Sequence, residues 1–258
     1  MAEIFKQIQE QGTQFENSKG FWAEGFEHIR VLKVKSGRLV LGTDKGLRLD
    51  NEDALIFDTE HDAFAVIDGM GGYAKGEEAA KIVGEEILRG LSSKASPLDV
   101  QRNAWQSMRK AGDMHESGAC YIAGQISGKE LKVWYAGDAR LLVYDDKGKV
   151  KYFSEPSSLE FAPSGRGPGR ATENFVRLMN YDRILVASDG LWDNIKIEEA
   201  IEEIKGMKVE QALKRLTDMS MERMAGEASI HDRDIGFGNK DNLTILLYEI
   251  LPVPLRGK

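Results

Sequence analysis

Asp68 closes an apolar run, Ala63-Phe64-Ala65-Val66-Ile67, and opens a glycine turn, Gly69-Met70-Gly71-Gly72. A strand of small and branched apolar residues buries itself and leaves its last side chain at the sheet edge. A carboxylate there is costly unless something positive meets it. The pattern recurs at Ile184-Leu185-Val186-Ala187-Ser188-Asp189-Gly190. Two more acidic turns stand beside strands: Asn51-Glu52-Asp53-Ala54 early in the chain, and Asn239-Lys240-Asp241-Asn242-Leu243-Thr244 before the last apolar run. Taken singly, each is ordinary turn chemistry, because Asp and Asn are turn formers. Four of them at strand ends point to one oxygen-rich metal site assembled from distant segments, and so to a metal-dependent hydrolase rather than a binding scaffold.

Only oxygen ligands are on offer. The four histidines, His28, His61, His115 and His231, show no ligand spacing. A site of carboxylates, carbonyls and water selects a hard octahedral ion, Mg²⁺ or Mn²⁺, over zinc. Two such ions ~3.5–4 Å apart can share a hydroxide and activate it for in-line attack on phosphorus.

The elements that position these residues read as strand runs and helix runs grouped together. From His28 strands are expected: Ile29, Val31 and Lys33-Val34 alternate, Arg38–Leu41 follows a Ser36-Gly37 turn, Ala54–Phe57 and Ala63–Ile67 form a hairpin, and Ala119–Ile126, Leu131–Ala136, Arg140–Tyr144, Arg183–Ser188 and Thr244–Ile250 follow. A helix is expected from Glu77 to Leu91, with Ala80, Val83, Ile87 and Leu91 on one stripe and Glu77-Glu78 at its positive end. Ser96-Pro97 reads as an N-cap and first-turn proline of a second helix ending near Gly112. Ile195–Lys205 and Val209–Met224 read as helices, and 154–172, rich in proline and glycine, as a loop or flap. This grouping favours α+β: antiparallel sheets with helices packed outside them. Residues 1–27 are polar with scattered aromatics and read as an N-terminal extension, a short amphipathic helix and a loop; residues 28–258 read as a single domain.

Composition sets bounds on partners. A chain of 258 residues buries roughly 70–75% of its unfolded surface without staples. A formal net charge of -7 argues against nucleic acid or anionic membrane as the main partner. Phosphorylated substrates remain open, because a metal supplies local positive field. The single cysteine, Cys120, excludes an intramolecular disulfide and fits a reducing cytoplasm. No signal peptide is expected at the N-terminus, and no apolar run approaches the ~20 residues of a membrane span.

Asn51-Glu52-Asp53-Ala54, Asp68-Gly69-Met70-Gly71-Gly72, Gly137-Asp138-Ala139-Arg140, Ser188-Asp189-Gly190-Leu191-Trp192-Asp193 and Asp241-Asn242-Leu243-Thr244 occur in the order seen in PPM-type (type 2C) metal-dependent protein serine/threonine phosphatases. The resemblance covers about residues 40–250. It implies a four-layer αββα sandwich with two Mn²⁺ or Mg²⁺ ions at one edge between the sheets. It also implies hydrolysis of phosphoserine and phosphothreonine in proteins by a metal-bridging hydroxide, in opposition to a serine/threonine kinase. By the same resemblance Asp68 bridges the metals and the Gly69 carbonyl binds one of them. Asp189 and Asp241 ligate the other, Glu52 and Asp53 act mainly through metal-bound waters, and Arg48 grips the phosphate. Guanidinium matches phosphate bidentately, which suits Arg48 to that task; without the motif it reads as an exposed loop arginine.

Some residues depart from the family pattern or read as structural. Met70 stands where many eukaryotic members carry histidine, and methionine there marks a bacterial-like subclass. Gly118-Ala119-Cys120 replaces a Gly-Thr-Thr-like segment, and the stretch before Asp189 implies a shortened flap. Asp113 and Glu116 are rival candidates for a third metal. Asp138 and Arg140 read as a tight turn with an internal ion pair, and Asp193 as the cap of the next helix. Cys120, Trp134, Trp192, Met207, Met219, Met221 and Met224 read as core, and Glu198, Glu199, Glu202 and Glu203 as a solvated helix face. The alternative functions are a catalytically silent phosphatase-like module and a hydrolase of a small phosphate ester.

Overall fold

The structure, a computed structural model, describes residues 19–22, 30–71, 75–93, 95–158, 163–164, 166–226 and 240–252. Twelve strands among them form two six-stranded antiparallel sheets. The first has the order β1 (Lys19–Trp22), β4 (Ala54–Asp58), β5 (Ala63–Met70), β6 (Gly118–Ser127), β7 (Glu130–Ala136) and β10 (Thr172–Arg177). The second runs β2 (Arg30–Val34), β3 (Gly37–Asp44), β12 (Leu243–Ile250), β11 (Arg183–Ala187), β8 (Arg140–Tyr144) and β9 (Val150–Phe153).

Alternation of side chains explains why so many strands read as unbroken apolar runs. In β5, Phe64 and Val66 enter a core shared by both sheets, with Leu39, Leu41, Leu141, Val143, Ile184, Val186 and Leu246. Ala63, Ala65 and Ile67 face the other way, onto α1 (Lys75–Ser93) and α2 (Pro97–Ala111). Leu185, Ala187, Ile245 and Leu247 likewise face outward, onto α3 (Asp189–Trp192), α4 (Ile197–Ile204) and α5 (Val209–Met224). Three apolar layers therefore separate helices, sheet, sheet and helices, which is the αββα sandwich. A strand buried on both faces needs apolar residues at every position.

Helix boundaries follow local chemistry. The Ser96 hydroxyl accepts the Asp99 N–H at 3.2 Å, with Pro97 in the first turn, and the helix stops at Gly112, whose φ is 101°. The stripe on α1 is as expected, with Ala80, Val83, Ile87 and Leu91 buried. The Glu-rich face of α4 is tied to its neighbours: Glu199 pairs with Arg223, and Glu203 with Arg215 at 2.8 Å.

Three strands escaped the sequence reading. β9 and β10 are outermost strands, and in β10 Glu173, Phe175 and Arg177 are exposed, so the apolar signal is thin. β1 adds an edge to the first sheet by pairing with β4, Lys19 opposite Asp58 and Trp22 opposite Leu55. The amphipathic helix expected within 1–27 lies otherwise outside the described residues. Asp193 does not cap α4: it ends α3, and Lys196 takes the cap position of α4.

Candidate metal centre

Both Asp-Gly strands end at the same edge of the sandwich. Asp68 shares the parity of Phe64 and Val66, so its carboxylate enters the gap between the sheets. Asp189 lies two residues after β11, Asp53 directly precedes β4, and Asp241 lies two residues before β12. Burial, then the charges of Asp53, Asp189, Asp138 and Asp241, holds the Asp68 carboxyl well above the usual carboxylate range. Burial first, and then Asp241 and Asp53, pushes Asp189 up to about 8. Asp53 is raised to about 7, mainly by burial, although hydroxyls of Thr244 and Ser188 oppose the rise. Glu52 is also raised by burial, against the Gly76 N–H and Arg48.

These carboxylates are fixed by their neighbours. The Ser188 hydroxyl donates to Asp53 Oδ2 at 2.7 Å and accepts the Thr244 N–H at 3.0 Å. The Thr43 and Thr244 hydroxyls meet at 2.6 Å between the sheets, and Asn51 Nδ2 donates to Thr43 at 3.0 Å. Asp53, 1% exposed, is thus locked in place by hydroxyls from the second sheet. Asn242 does the same for the loops. Its Oδ1 accepts the Glu52 N–H at 2.8 Å, and its Nδ2 donates to the carbonyls of Asp50 at 2.8 Å and Lys45 at 3.0 Å. One buried amide therefore holds the segment carrying Arg48 and Glu52 against the segment carrying Asp241.

Close approach explains two glycines. A Cβ on Gly69 would sit 2.2 Å from the Gly76 carbonyl and 2.5 Å from that of Glu52; one on Gly190 would sit 2.0 Å from the Asn242 carbonyl. Side chains at these places would force the acidic turns apart. Gly76, in the first turn of α1, faces the Glu52 carboxylate, where a helix N-terminus stabilises negative charge.

Arg48 lies at the rim with its side chain half exposed. Its Nε donates to the Lys240 carbonyl at 2.6 Å and one terminal nitrogen to Asp241 Oδ2 at 2.7 Å. Its charge bears on Asp241, Asp189 and Glu52 together.

Asp138 and Arg140 do not pair among the described residues. Arg140 shares the parity of Leu142 and Tyr144 and faces the helix layer, its guanidinium 5.7 Å from the Phe153 ring. Asp138 turns the opposite way, its charge adding to that on Asp68 and Asp189, and its Oδ1 is buried with no hydrogen-bond partner among the described residues. The two candidates for a third ion are engaged elsewhere. Asp113 pairs with Lys75 at 2.8 Å and Glu116 with Arg166 at 3.3 Å, all on the surface.

Cys120 is fully buried opposite Asp68 in the β5–β6 pairing, with its sulfur 3.8 Å from that of Met70. Burial and the charges of Asp138 and Asp68 hold its thiol far above the usual range. It has neither the exposure nor the ionisation of a nucleophile. Trp192 is core, its indole N–H donating to the Ala187 carbonyl at 3.1 Å.

The donor set fits hard divalent cations. Carboxylates from four segments converge, three of them are held toward protonation by burial and by neighbouring carboxylates, and the buried Asp138 Oδ1 has no donor among the described residues. Cations placed among them would remove the repulsion. Asn242, Ser188 and Thr244 were the residues missed by sequence reasoning. Their signal was a run of polar side chains beside strand ends, and their roles depend on which segments meet.

Comparison with known proteins agrees with this geometry. The family model for protein phosphatase 2C matches residues 48–231. A curated relative, the 5-azacytidine resistance protein azr1 of Schizosaccharomyces pombe, is 24% identical over 220 residues, 75% of this chain and 71% of that protein. The serine/threonine phosphatase PstP/Ppp of Mycobacterium tuberculosis superimposes with a TM-score of 0.68 at 20% identity, over 84% of this chain and 100% of that one. The catalytic domain of PstP in complex with 2 manganese ions gives 0.64 at 20% identity, over 84% and 99%. RsbX in complex with magnesium gives 0.62 at 15% identity, over 86% and 100%. With the model matched over more than half its length, and with the acidic strand ends gathered at one edge, the chain belongs to the protein phosphatase 2C family.

Proposed function

We propose that the carboxylate cluster holds two Mn²⁺ or Mg²⁺ ions and that the chain hydrolyses phosphoserine and phosphothreonine monoesters in proteins. The observation that carries this reading is the convergence of Asp53, Asp68 and Asp189, buried and mutually repelling, with Arg48 at the rim. When bound, the ions supply the acidity that makes water nucleophilic at neutral pH and the charge that offsets the phosphoryl oxygens.

The chain's own residues do the rest. Asp68, the Gly69 carbonyl, Asp189 and Asp241 would hold the ions, and Glu52 would order water around them. Asp53, clamped by Ser188 and Thr244, sets its charge against Asp68 and would order water together with Glu52. Arg48 has N–H groups left over from Asp241 and Lys240, and its fork would grip the phosphate. In-line transfer needs positioning and charge more than covalent chemistry. Met70 has no proton to give, so the leaving oxygen takes its proton from water in the site. Cys120 is sealed, which supports direct attack by water without a phosphoenzyme.

A phosphoprotein is the substrate class, and a serine/threonine kinase would supply it. The cytoplasm suits this pairing, and the lone buried cysteine supports it. Among the described residues no helix is long and apolar enough to cross a membrane.

The test is Mn²⁺-dependent phosphate release from a phosphothreonine peptide and from p-nitrophenyl phosphate, with the two in competition. Preference for the peptide supports the protein phosphatase; preference for the small ester supports the small-ester hydrolase. No release from either ester with Mn²⁺ or Mg²⁺ would leave a silent module.

A further inference from the structure

A cavity of about 470 Å³ opens at the far end of α1 from the metal centre. Its origin is a shortfall in the helix layer. α1 and α2 cover the outer face of the first sheet as far as Trp134 and Ala136 on β7, and α1 ends at Ser93. Gln125 on β6 and its register partner Lys132 on β7 lie beyond that cover, with Trp134 next on the same face. Leu91, Ala95 and Pro97 supply apolar walls, and Trp134 packs at the cavity beside the helix core.

The polar groups have one character. None of the described residues lining the cavity is a carboxylate, in a chain with 42 acidic residues. Lys132 Nζ lies 5.6 Å from the Trp134 ring centroid and is shared with Glu173 at 2.6 Å. The Trp134 indole N–H is buried and has no acceptor among the described residues. His61, at the margin, is turned to Asp58 at 2.8 Å. Apolar walls with a few hydrogen-bond donors, in a space of several hundred Å³, are the composition of a small-molecule site.

We propose that this cavity is a second binding site, separate from the metal centre, for a small amphipathic carboxylate. The apolar body packs against Leu91, Ala95, Pro97 and the Trp134 ring, and the carboxylate meets Lys132 and the Gln125 amide. Glu173 competes for the same ammonium, so affinity is modest and tunable.

The probe is octanoate, titrated into the full chain by ligand-observed NMR, with octanol as the neutral control. The expected dissociation constant for octanoate is on the order of 1 mM. Lys132→Gln weakens octanoate about tenfold and leaves octanol unchanged. Glu173→Gln frees the ammonium and tightens octanoate about threefold. Ala95→Trp narrows the cavity and weakens both probes about equally, with thermal melts showing that each variant is folded. Three results would overturn the assignment: no octanoate binding to wild type, unchanged binding of both probes to folded Ala95→Trp, or equal loss of octanoate and octanol in Lys132→Gln.

Discussion

β5 and β11 each carry an aspartate at both ends, and the two ends are built differently. Asp62 opens β5 and Asp182 opens β11; Asp68 and Asp189 close them, roughly 20 Å away along the strands. At the opening end each carboxylate is satisfied. Asp62 accepts the Lys35 N–H at 2.9 Å and the Ser36 hydroxyl at 2.8 Å, and Asp182 accepts Lys151 Nζ at 2.5 Å and the Met179 N–H at 2.8 Å. At the closing end the nearest charges on Asp68 and Asp189 are other carboxylates. Burial of a carboxylate is therefore no mark of function by itself. What separates the metal centre from the structural end is the sign of what surrounds it.

The largest expected effect breaks this comparison directly. Asp68→Asn should lower Mn²⁺-dependent turnover by on the order of 10³-fold or more while the fold survives, since it relieves repulsion. Asp62→Asn should lose about 1–3 kcal/mol of stability and keep turnover within a fewfold, because it leaves buried donors poorly matched. Denaturant melts and initial rates on the same preparations check both.

Next comes pH. With folded values of about 7 for Asp53 and about 8 for Asp189, against an unfolded value near 4, the native metal-free protein binds more protons than the unfolded chain between these limits. The stability held by these protons is complete below about pH 4 and is lost as pH rises through 7 to 8. Melting temperature in EDTA should thus fall from pH 5.5 to 8.5. Saturating Mn²⁺ should raise it most at the upper end, because binding releases protons. A flat profile in EDTA would put these carboxylates in solvent.

Asn242→Ala should cost about 2–3 kcal/mol and weaken Mn²⁺ binding, since it orphans the Glu52 N–H and two carbonyls. Calorimetric titration separates the two losses. Arg48→Ala should have the smallest effect, raising KM about tenfold with a lesser change in kcat. Unchanged KM and kcat would return Arg48 to the status of a surface arginine.

Much of this was legible in the sequence for a physical reason. Strands buried on both faces must be apolar at every position, so β5, β11 and β12 announced themselves, and an Asp-Gly at the end of such a run stands out. Edge strands lack that constraint: β10, with Glu173 and Arg177 in solvent, carries no apolar run that marks it as a strand. Placement of Asp53, Asp68, Asp189 and Asp241 at one edge followed from their position at strand ends. The role of Asn242 did not, because its three partners sit in segments some 190 residues away. The Asp138–Arg140 ion pair expected from the family motif does not form among the described residues, because the turn sends one side chain to the cluster and the other over Phe153.

The most direct test of the account sets the two ends of β5 side by side. Mn²⁺-dependent phosphate release from a phosphothreonine peptide is measured for wild type, Asp68→Asn and Asp62→Asn, each confirmed as folded by circular dichroism. The account predicts near-wild-type release from Asp62→Asn and almost none from Asp68→Asn. Equal release from wild type and Asp68→Asn would contradict it.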